Sequence, residues 1–337
     1  MKLVSFLNQQ YQPRLGLMLK NNVIDLENEA KKLKINLPSN MLSLLGDWDK
    51  NYELTRKVFQ ELNLTDNYNV EKPIKLLSPI PNPPSCRDGY AFRQHVEAAR
   101  RNRGLEMIPE FDQYPIFYFT NHNSIFGEGD IEVEYDHLDK LDFELEWAVI
   151  IGKKGKNISS NEADSYIAGF TIMNDFSART LQMEEMKLNL GPAKGKDFAT
   201  TLGPWLVTPD ELENKIIKTE FGNKYKLEMR ARHNGVEISS GNTSDMNWTF
   251  AEIIERASYG VEILPGDVIG SGTVGTGCYL ELNGTAARLA KERGEEYQPV
   301  WLKDGDTIEL EIEDLGILKN KIKWNGSYHS ILKKKKI

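Results

Sequence analysis

At 337 residues, 40% of them hydrophobic and 27% charged, the chain can bury a sizeable core and is neither disordered nor of low complexity over most of its length. Fifty acidic against forty-two basic residues leave a formal charge of −8, which excludes a broad positive field for nucleic acid. Cys86 and Cys278 are the two cysteines, too few for a disulfide framework or a structural zinc site, and no apolar run reaches the length of a bilayer span, so a cytoplasmic protein without membrane contact is expected.

In chain order, the apolar run LVSFL near the amino terminus is too short for a signal-peptide core. Short apolar runs at 3–7 and 15–19, with charged helical patterns at 26–34 and 52–62, predict a small N-terminal α+β domain over residues 1–75. LLSPIPNPPS at 76–85 holds four prolines, which a helix interior does not tolerate, and reads as an extended connector. A helix-compatible stretch at 90–103 then gives way to strand-like runs, YPIFYF (114–119), ELEWAVIIG (144–152) and YIAGFTIMND (166–175). Asn234-Gly235 between alternating segments predicts a hairpin, and Gly-Asp turns punctuate LPGDVIGSGTVGTG and LKDGDTIELEIEDLG. Strands alternating with regular crossover helices do not occur, so the expected class is a β-rich α+β sandwich or roll, not a doubly wound sheet. The terminal LKKKKI reads as a solvated tail.

The sharpest chemical feature is Glu144-Leu145-Glu146 inside a strand-like run, because i, i+2 spacing puts both carboxylates on one face of the pleat. Leu145, Trp147, Val149 and Ile151 then form an apolar opposite face. Asp175 ends another apolar strand and Asp88 follows the proline connector, both places where polar groups reach a site. If the fold brings these acids together, the site is all oxygen and suits Mg²⁺, Mn²⁺ or Ca²⁺ in preference to zinc. Four carboxylates around one divalent ion would need nearby cations, for which Arg179 and Lys196 are candidates. GSGTVGTG at 270–277 lacks the strand, glycine loop and helix context of a nucleotide-binding loop.

Several strings in fixed order make the chain resemble the fumarylacetoacetate hydrolase family over roughly residues 76–325: DFELEWAVIIGKKGKNIS, GFTIMNDFSARTLQ, KGKDFATTLGPWLVTPDEL, NGVEISSGNTSDM, LPGDVIGSGTVGTG and KDGDTIELEIEDLG. The resemblance implies a catalytic domain of mixed β-sandwich/roll form over 76–325, a C-terminal segment over 326–337, a common homodimeric state, and a Mg²⁺ or Mn²⁺ cofactor, with Ca²⁺ as an alternative. It implies Glu144, Glu146 and Asp175 as metal ligands, with Asp88 as an additional carboxylate. It implies His95 as the catalytic histidine, Glu281 as the acid that orients it, and Lys196 as a further catalytic group. Arg179, Gln182, Thr200 and Thr273 are implied as substrate contacts, and Tyr90 as one more.

The implied reaction is hydrolysis of a carbon–carbon bond in a fumarylacetoacetate-like or acylpyruvate-like 1,3-diketo acid, in the breakdown of aromatic compounds or amino acids. A cation accepts charge from the substrate oxygens, His95 held by Glu281 moves the proton, and Lys196 with Gln182 faces the tetrahedral oxyanion. The alternatives are an isomerase, hydratase or decarboxylase of a related 2-oxo acid acting through an enolate, or a non-catalytic metal- or ligand-binding protein of the same fold. Asn121, His122 and Asn123 stand where many small family members carry a lysine, which makes His122 a second candidate base. Arg100, Arg101 and Arg103 are candidates for a substrate carboxylate. In GCYLELNG, Glu281 alternates with Leu280 and Leu282 as in a strand, and a short helix is expected within 283–301 as a wall of the pocket.

Overall fold

The computed structural model describes residues 1–332, so the lysines of the tail at 333–336 lie outside the described residues. The first three strands, β1 (Lys2–Leu7), β2 (Pro13–Leu19) and β3 (Asn22–Asp25), are followed by α1 (Leu26–Lys32) and α2 (Trp48–Thr65). Asp25 opens α1 by accepting the Asn28 N–H, and Glu27 and Glu29 in the first turn complement the helix dipole. After the proline connector come β4 (Cys86–Gly89), α3 (Arg93–Arg101), β5 (Phe117–Thr120) and β6 (Gly129–Val133). The long apolar runs form β7 (Glu146–Ile151) and β8 (Ile167–Asp175), followed by α4 (Arg179–Met186) and β9 (Thr200–Val207). The Asn234-Gly235 turn joins β10 (Glu228–His233) to β11 (Val236–Asn242), with both residues at positive φ. Then follow α5 (Phe250–Ser258), β12 (Val268–Gly270), α6 (Tyr279–Arg293), β13 (Thr307–Ile312) and β14 (Gly316–Trp324).

Two sheets carry the architecture. The larger has 11 strands in the order β3-β2-β1-β9-β8-β7-β12-β4-β5, plus two short strands off this path. The smaller has five strands in the order β11-β10-β13-β14-β6. The amino-terminal strands continue the large sheet, since β1 pairs antiparallel with β9 in the register Lys2↔Val207 and Leu3↔Leu206. No helix among the described residues is long and apolar enough to cross a membrane.

The strand β7 is buried along its whole length, so both of its faces are covered, where the alternation of apolar residues suggested a single apolar side. Trp147, Val149 and Ile151 pack into the core between the two sheets, while Ala148 and Ile150 pack toward the amino-terminal helices with Leu44, Leu45 and Trp48. A strand covered on both faces reads as a continuous apolar run, and Ala148 and Ile150 are the residues that carry that signal. Trp147 stacks on Phe170 at 5.2 Å and meets Phe250 edge-on at 4.8 Å, which anchors the strand that delivers Glu146.

Candidate active site

Strand register places the acids in a row at one end of the large sheet. Antiparallel pairing of β8 with β9 sets Asp175 opposite Thr200, and that of β7 with β8 sets Glu146 opposite Met173. Parallel pairing of β12 with β4 sets Gly270 beside Asp88, and antiparallel pairing of β4 with β5 sets Asp88 opposite Tyr118. Glu144 lies just before β7, its N–H donating to Asn174 Oδ1 at 2.9 Å. A Cβ at Gly270 would lie 2.5 Å from Asp88 Oδ1 and 2.7 Å from the Met173 sulfur, so any larger residue would displace the Asp88 carboxylate or the Met173 side chain.

Oxygens of Asp88, Glu144 and Glu146 lie within 4.8 Å of one another, and all three residues are buried. Asp175 adjoins this trio, with its oxygens engaged by Thr200 Oγ1 at 3.1 Å, by Lys196 Nζ at 2.9 Å and by the Tyr118 hydroxyl. Tyr118 bridges the two groups, since its hydroxyl also lies 3.1 Å from Asp88 Oδ2. Lys196 ion-pairs with both Glu144 and Asp175, and Arg179 Nη2 reaches Glu144 Oε1 at 2.9 Å.

Each acid carries the imprint of its neighbours. Burial would raise the Glu144 carboxyl, but Lys196 and Arg179 outweigh it and bring it down to about 2. Burial and then the charge of Asp175 push Asp88 up to about 7. Burial, followed by Asp88 and Glu144, lifts Glu146 well above the ordinary carboxylate range. Lys196, which burial alone would push down, is held above its ordinary value by Asp175 and Glu144. Glu146 Oε2 is buried with no N–H or hydroxyl group donating to it, so its ionised form is costly unless something positive meets it. An all-carboxylate set with an excess of negative charge and one orphaned oxygen fits a hard divalent cation. Asp88, Glu144 and Glu146 are the residues placed to hold it.

The second component is a buried histidine–carboxylate pair. His95 on α3 places Nδ1 2.6 Å from Glu281 Oε2, and the ring meets Tyr90 edge-on at 6.0 Å. Glu281 lies on the first turn of the 15-residue helix α6, not on a strand, and that helix starts four residues earlier than the segment where a short helix was expected. The turn after β12 ties the pair to the trio. Its Gly272 N–H donates to Asp88 at 3.1 Å, its Thr273 hydroxyl to Glu146 at 3.3 Å, and its Thr276 N–H to Glu281 Oε1 at 3.0 Å.

The remaining candidates fall on different sides of this frame. Gln182 accepts a 3.0 Å bond from Arg179 Nη1. Arg100 and Arg103 turn their Nε atoms to backbone carbonyls of Glu106 and Ala99, and Arg101 is exposed. His122 is exposed in the loop after β5, while His95 is buried. Asn121 is engaged with Ser124 and the Asp197 carbonyl. A cleft of about 270 Å³, lined among others by Phe119, Asn121, Pro192 and Lys196, leads to the Lys196 side of the site.

Sequence reasoning passed over two residues of this frame. Tyr118 is one, and the signal for it was the alternation in PIFYFT, which sends Tyr118 to the face opposite Phe117 and Phe119. Asp142 is the other, two positions before Glu144 in DFELE. It is wholly buried, takes the Arg179 Nε–H at 2.8 Å, and accepts the N–H groups of Tyr279 and Leu280.

The profile described as fumarylacetoacetate (FAA) hydrolase C-terminal matches residues 85–323. A fumarylacetoacetate hydrolase domain-containing protein 2 homolog from Dictyostelium discoideum is 30% identical over 331 residues, covering 96% of this chain and 97% of that protein. The oxaloacetate tautomerase YisK of Bacillus subtilis (strain 168) is 28% identical over 326 residues, covering 91% and 95%. The solved structure of the fumarylacetoacetate hydrolase from psychrophilic Exiguobacterium antarcticum superposes with a TM-score of 0.66 at 23% identity, over 96% of this chain and all of that one, and supports the same fold. The chain belongs to the fumarylacetoacetate hydrolase family.

Proposed function

We propose that this member of the fumarylacetoacetate hydrolase family is a divalent-metal-dependent isomerase that interconverts the keto and enol forms of a small 2-oxo dicarboxylic acid of the oxaloacetate type. The observation that carries the reading is the buried His95–Glu281 pair tied by one turn to the Asp88, Glu144 and Glu146 trio. The name of the Bacillus subtilis relative, an oxaloacetate tautomerase matched over most of both chains, supports the choice of substrate.

Ionised Glu281 can only accept, so it keeps the His95 proton on Nδ1 and leaves Nε2 with a free lone pair. That nitrogen takes a proton from the carbon beside the substrate ketone, and the electron pair of the broken C–H bond moves to the ketone oxygen. Glu281 stabilises the resulting imidazolium, which then returns the proton to that oxygen to give the enol. The chemistry a divalent cation on the trio supplies is Lewis acidity, which makes the neighbouring C–H more acidic. Lys196 spends two of its three N–H groups on Glu144 and Asp175, and the third remains for a substrate carboxylate in the cleft it lines.

The second reading is hydrolysis of a 1,3-diketo acid, in which the same Nε2 takes a proton from water. The family profile, described as that of a hydrolase, supports it. The test is an assay of Mn²⁺-loaded protein on oxaloacetate and on an acylpyruvate, followed by ultraviolet absorbance and NMR. Faster enol–keto exchange without new fragments supports the isomerase, and two carboxylic products from the acylpyruvate support the hydrolase. Neither activity in metal-loaded protein overturns both.

A further inference from the structure

We propose that Asp142 is a positioning residue that locks the His95–Glu281 pair to the carboxylate trio, an assignment that rests on the isomerase reading above. Its side chain meets both halves of the site at once. One oxygen accepts the Tyr279 N–H at 2.7 Å and the N–H of the adjacent Phe143 at 2.9 Å. The other accepts the Leu280 N–H at 2.9 Å and Arg179 Nε–H at 2.8 Å.

Tyr279 and Leu280 are the first two residues of α6, whose opening N–H groups have no partner inside the helix. The residue at the N-cap, Cys278, has no oxygen side chain and makes no capping hydrogen bond. Asp142 does that work from a distant part of the chain, and so fixes where the first turn starts and which way Glu281, its third residue, points. On its other side Asp142 holds one arm of Arg179, whose Nη2 continues to Glu144 Oε1 at 2.9 Å. The local pairing of Ser177 with Asp142 and of Ala178 with Leu141 brings Arg179 to this place. One carboxylate therefore sets the spacing between a proton-transfer pair and a metal ligand that are carried by different elements. Because geometry within a few tenths of an ångström governs proton transfer, that spacing matters more to turnover than to folding.

Asp142→Asn tests this. The amide has the same shape but presents an NH₂ in place of one oxygen, so α6 loses one of its two bonds in either orientation: Tyr279 together with Phe143, or Leu280 together with the Arg179 guanidinium. In the wild type the His95 Nδ1 proton, bonded to Glu281, is expected as a downfield ¹H resonance that is absent in His95→Gln. In Asp142→Asn that resonance moves upfield or vanishes while cooperative thermal unfolding is retained. Turnover falls by about tenfold or more with a smaller change in KM, in line with the loss of a group that orients a ligand or base. Asp142→Asn combined with Glu281→Gln is no slower than Glu281→Gln alone. An unmoved resonance in folded Asp142→Asn, or losses that multiply in the double variant, overturns the assignment. The resonance needs no substrate, so a failed isomerase reading is distinguished from a failed Asp142 role. If Asp142→Asn does not fold, hydrogen exchange on the wild type decides instead. The amides of Tyr279 and Leu280 must exchange as slowly as the middle of α6, and exchange as fast as an uncapped first turn overturns the assignment.

Discussion

His95 Nδ1 lies 2.6 Å from Glu281 Oε2 across 186 positions of sequence, both side chains buried. A pair brought together over that distance and shielded from water is placed to fix a tautomer. His95→Gln and Glu281→Gln are each expected to slow proton transfer by about 10²–10⁴-fold. Neither should change Mn²⁺ affinity measured by calorimetry more than about threefold, since neither residue belongs to the trio. A large loss of metal binding in Glu281→Gln would show that the pair acts on the cation site and not on the proton.

Glu146 joins two predictions of opposite sign. Its orphaned Oε2 is the oxygen with most to gain from a cation, so Glu146→Gln should abolish Mn²⁺ binding. Burial and the neighbouring acids raise its pKa, so with no cation present it costs stability that grows as pH rises above the ordinary glutamate value and is fully felt above the raised one. Each unit of such a shift corresponds to about 1.4 kcal/mol. Glu146→Gln is therefore expected to unfold at a higher temperature than the wild type in chelator at alkaline pH, and at a lower temperature when both are given Mn²⁺. Thermal melts in the two buffers check both signs.

Tyr118 supplies the donor shared by Asp88 and Asp175. Tyr118→Phe leaves those buried oxygens facing one another with nothing between them, at a cost of about 1–3 kcal/mol. Urea unfolding in chelator should show this loss, and Mn²⁺ should recover part of it by drawing charge from Asp88. An unchanged unfolding midpoint would mean that the hydroxyl bridge contributes nothing to stability.

Asp136 accepts the N–H groups of Ile331 at 2.6 Å and Leu332 at 3.2 Å, which holds the end of the described chain against the short helix Tyr135–Leu138. Burial raises its pKa, but bonds from Ser330, Ile331 and Leu332 outweigh this and leave it below the ordinary 3.8. A lowered folded-state pKa means the attachment is fully present above the ordinary aspartate value and is lost as pH falls through the folded one. Hydrogen exchange at residues 327–332 should therefore stay slow, for its intrinsic rate, down to about pH 4 and rise below it. Asp136→Asn should show the faster exchange at neutral pH.

Much of the fold was legible because its signals are local. The alternating and continuous apolar runs marked the strands, Asn234-Gly235 marked a hairpin, and the prolines at 79–84 marked the passage from the amino-terminal elements to β4. Glu281 shows where local signals fail. Leu280 and Leu282 flank it as they would in a strand, yet the segment is the first turn of a helix whose opening N–H groups are satisfied by Asp142 from elsewhere in the chain. The pattern DFELE did contain Asp142 at the same two-residue spacing as Glu144 and Glu146. Nothing in the string told which of the three acids would face a helix terminus and which would face one another.

By itself, then, the order of amino acids determined the kinds of chemical group at hand: acids within and at the end of strand-like runs, one histidine in a helical stretch, one cation shortly after Asp175 and one among glycines. The tertiary structure alone decided their company. It grouped Asp88 with Glu144 and Glu146, set Lys196 and Tyr118 against Asp175, buried His95 beside Glu281 and left His122 exposed. The reason is that charge, hydrogen bonding and metal affinity depend on distances of a few ångströms between side chains. Those distances are set by the register of strands and the start of helices, many of which lie more than a hundred residues apart in the chain.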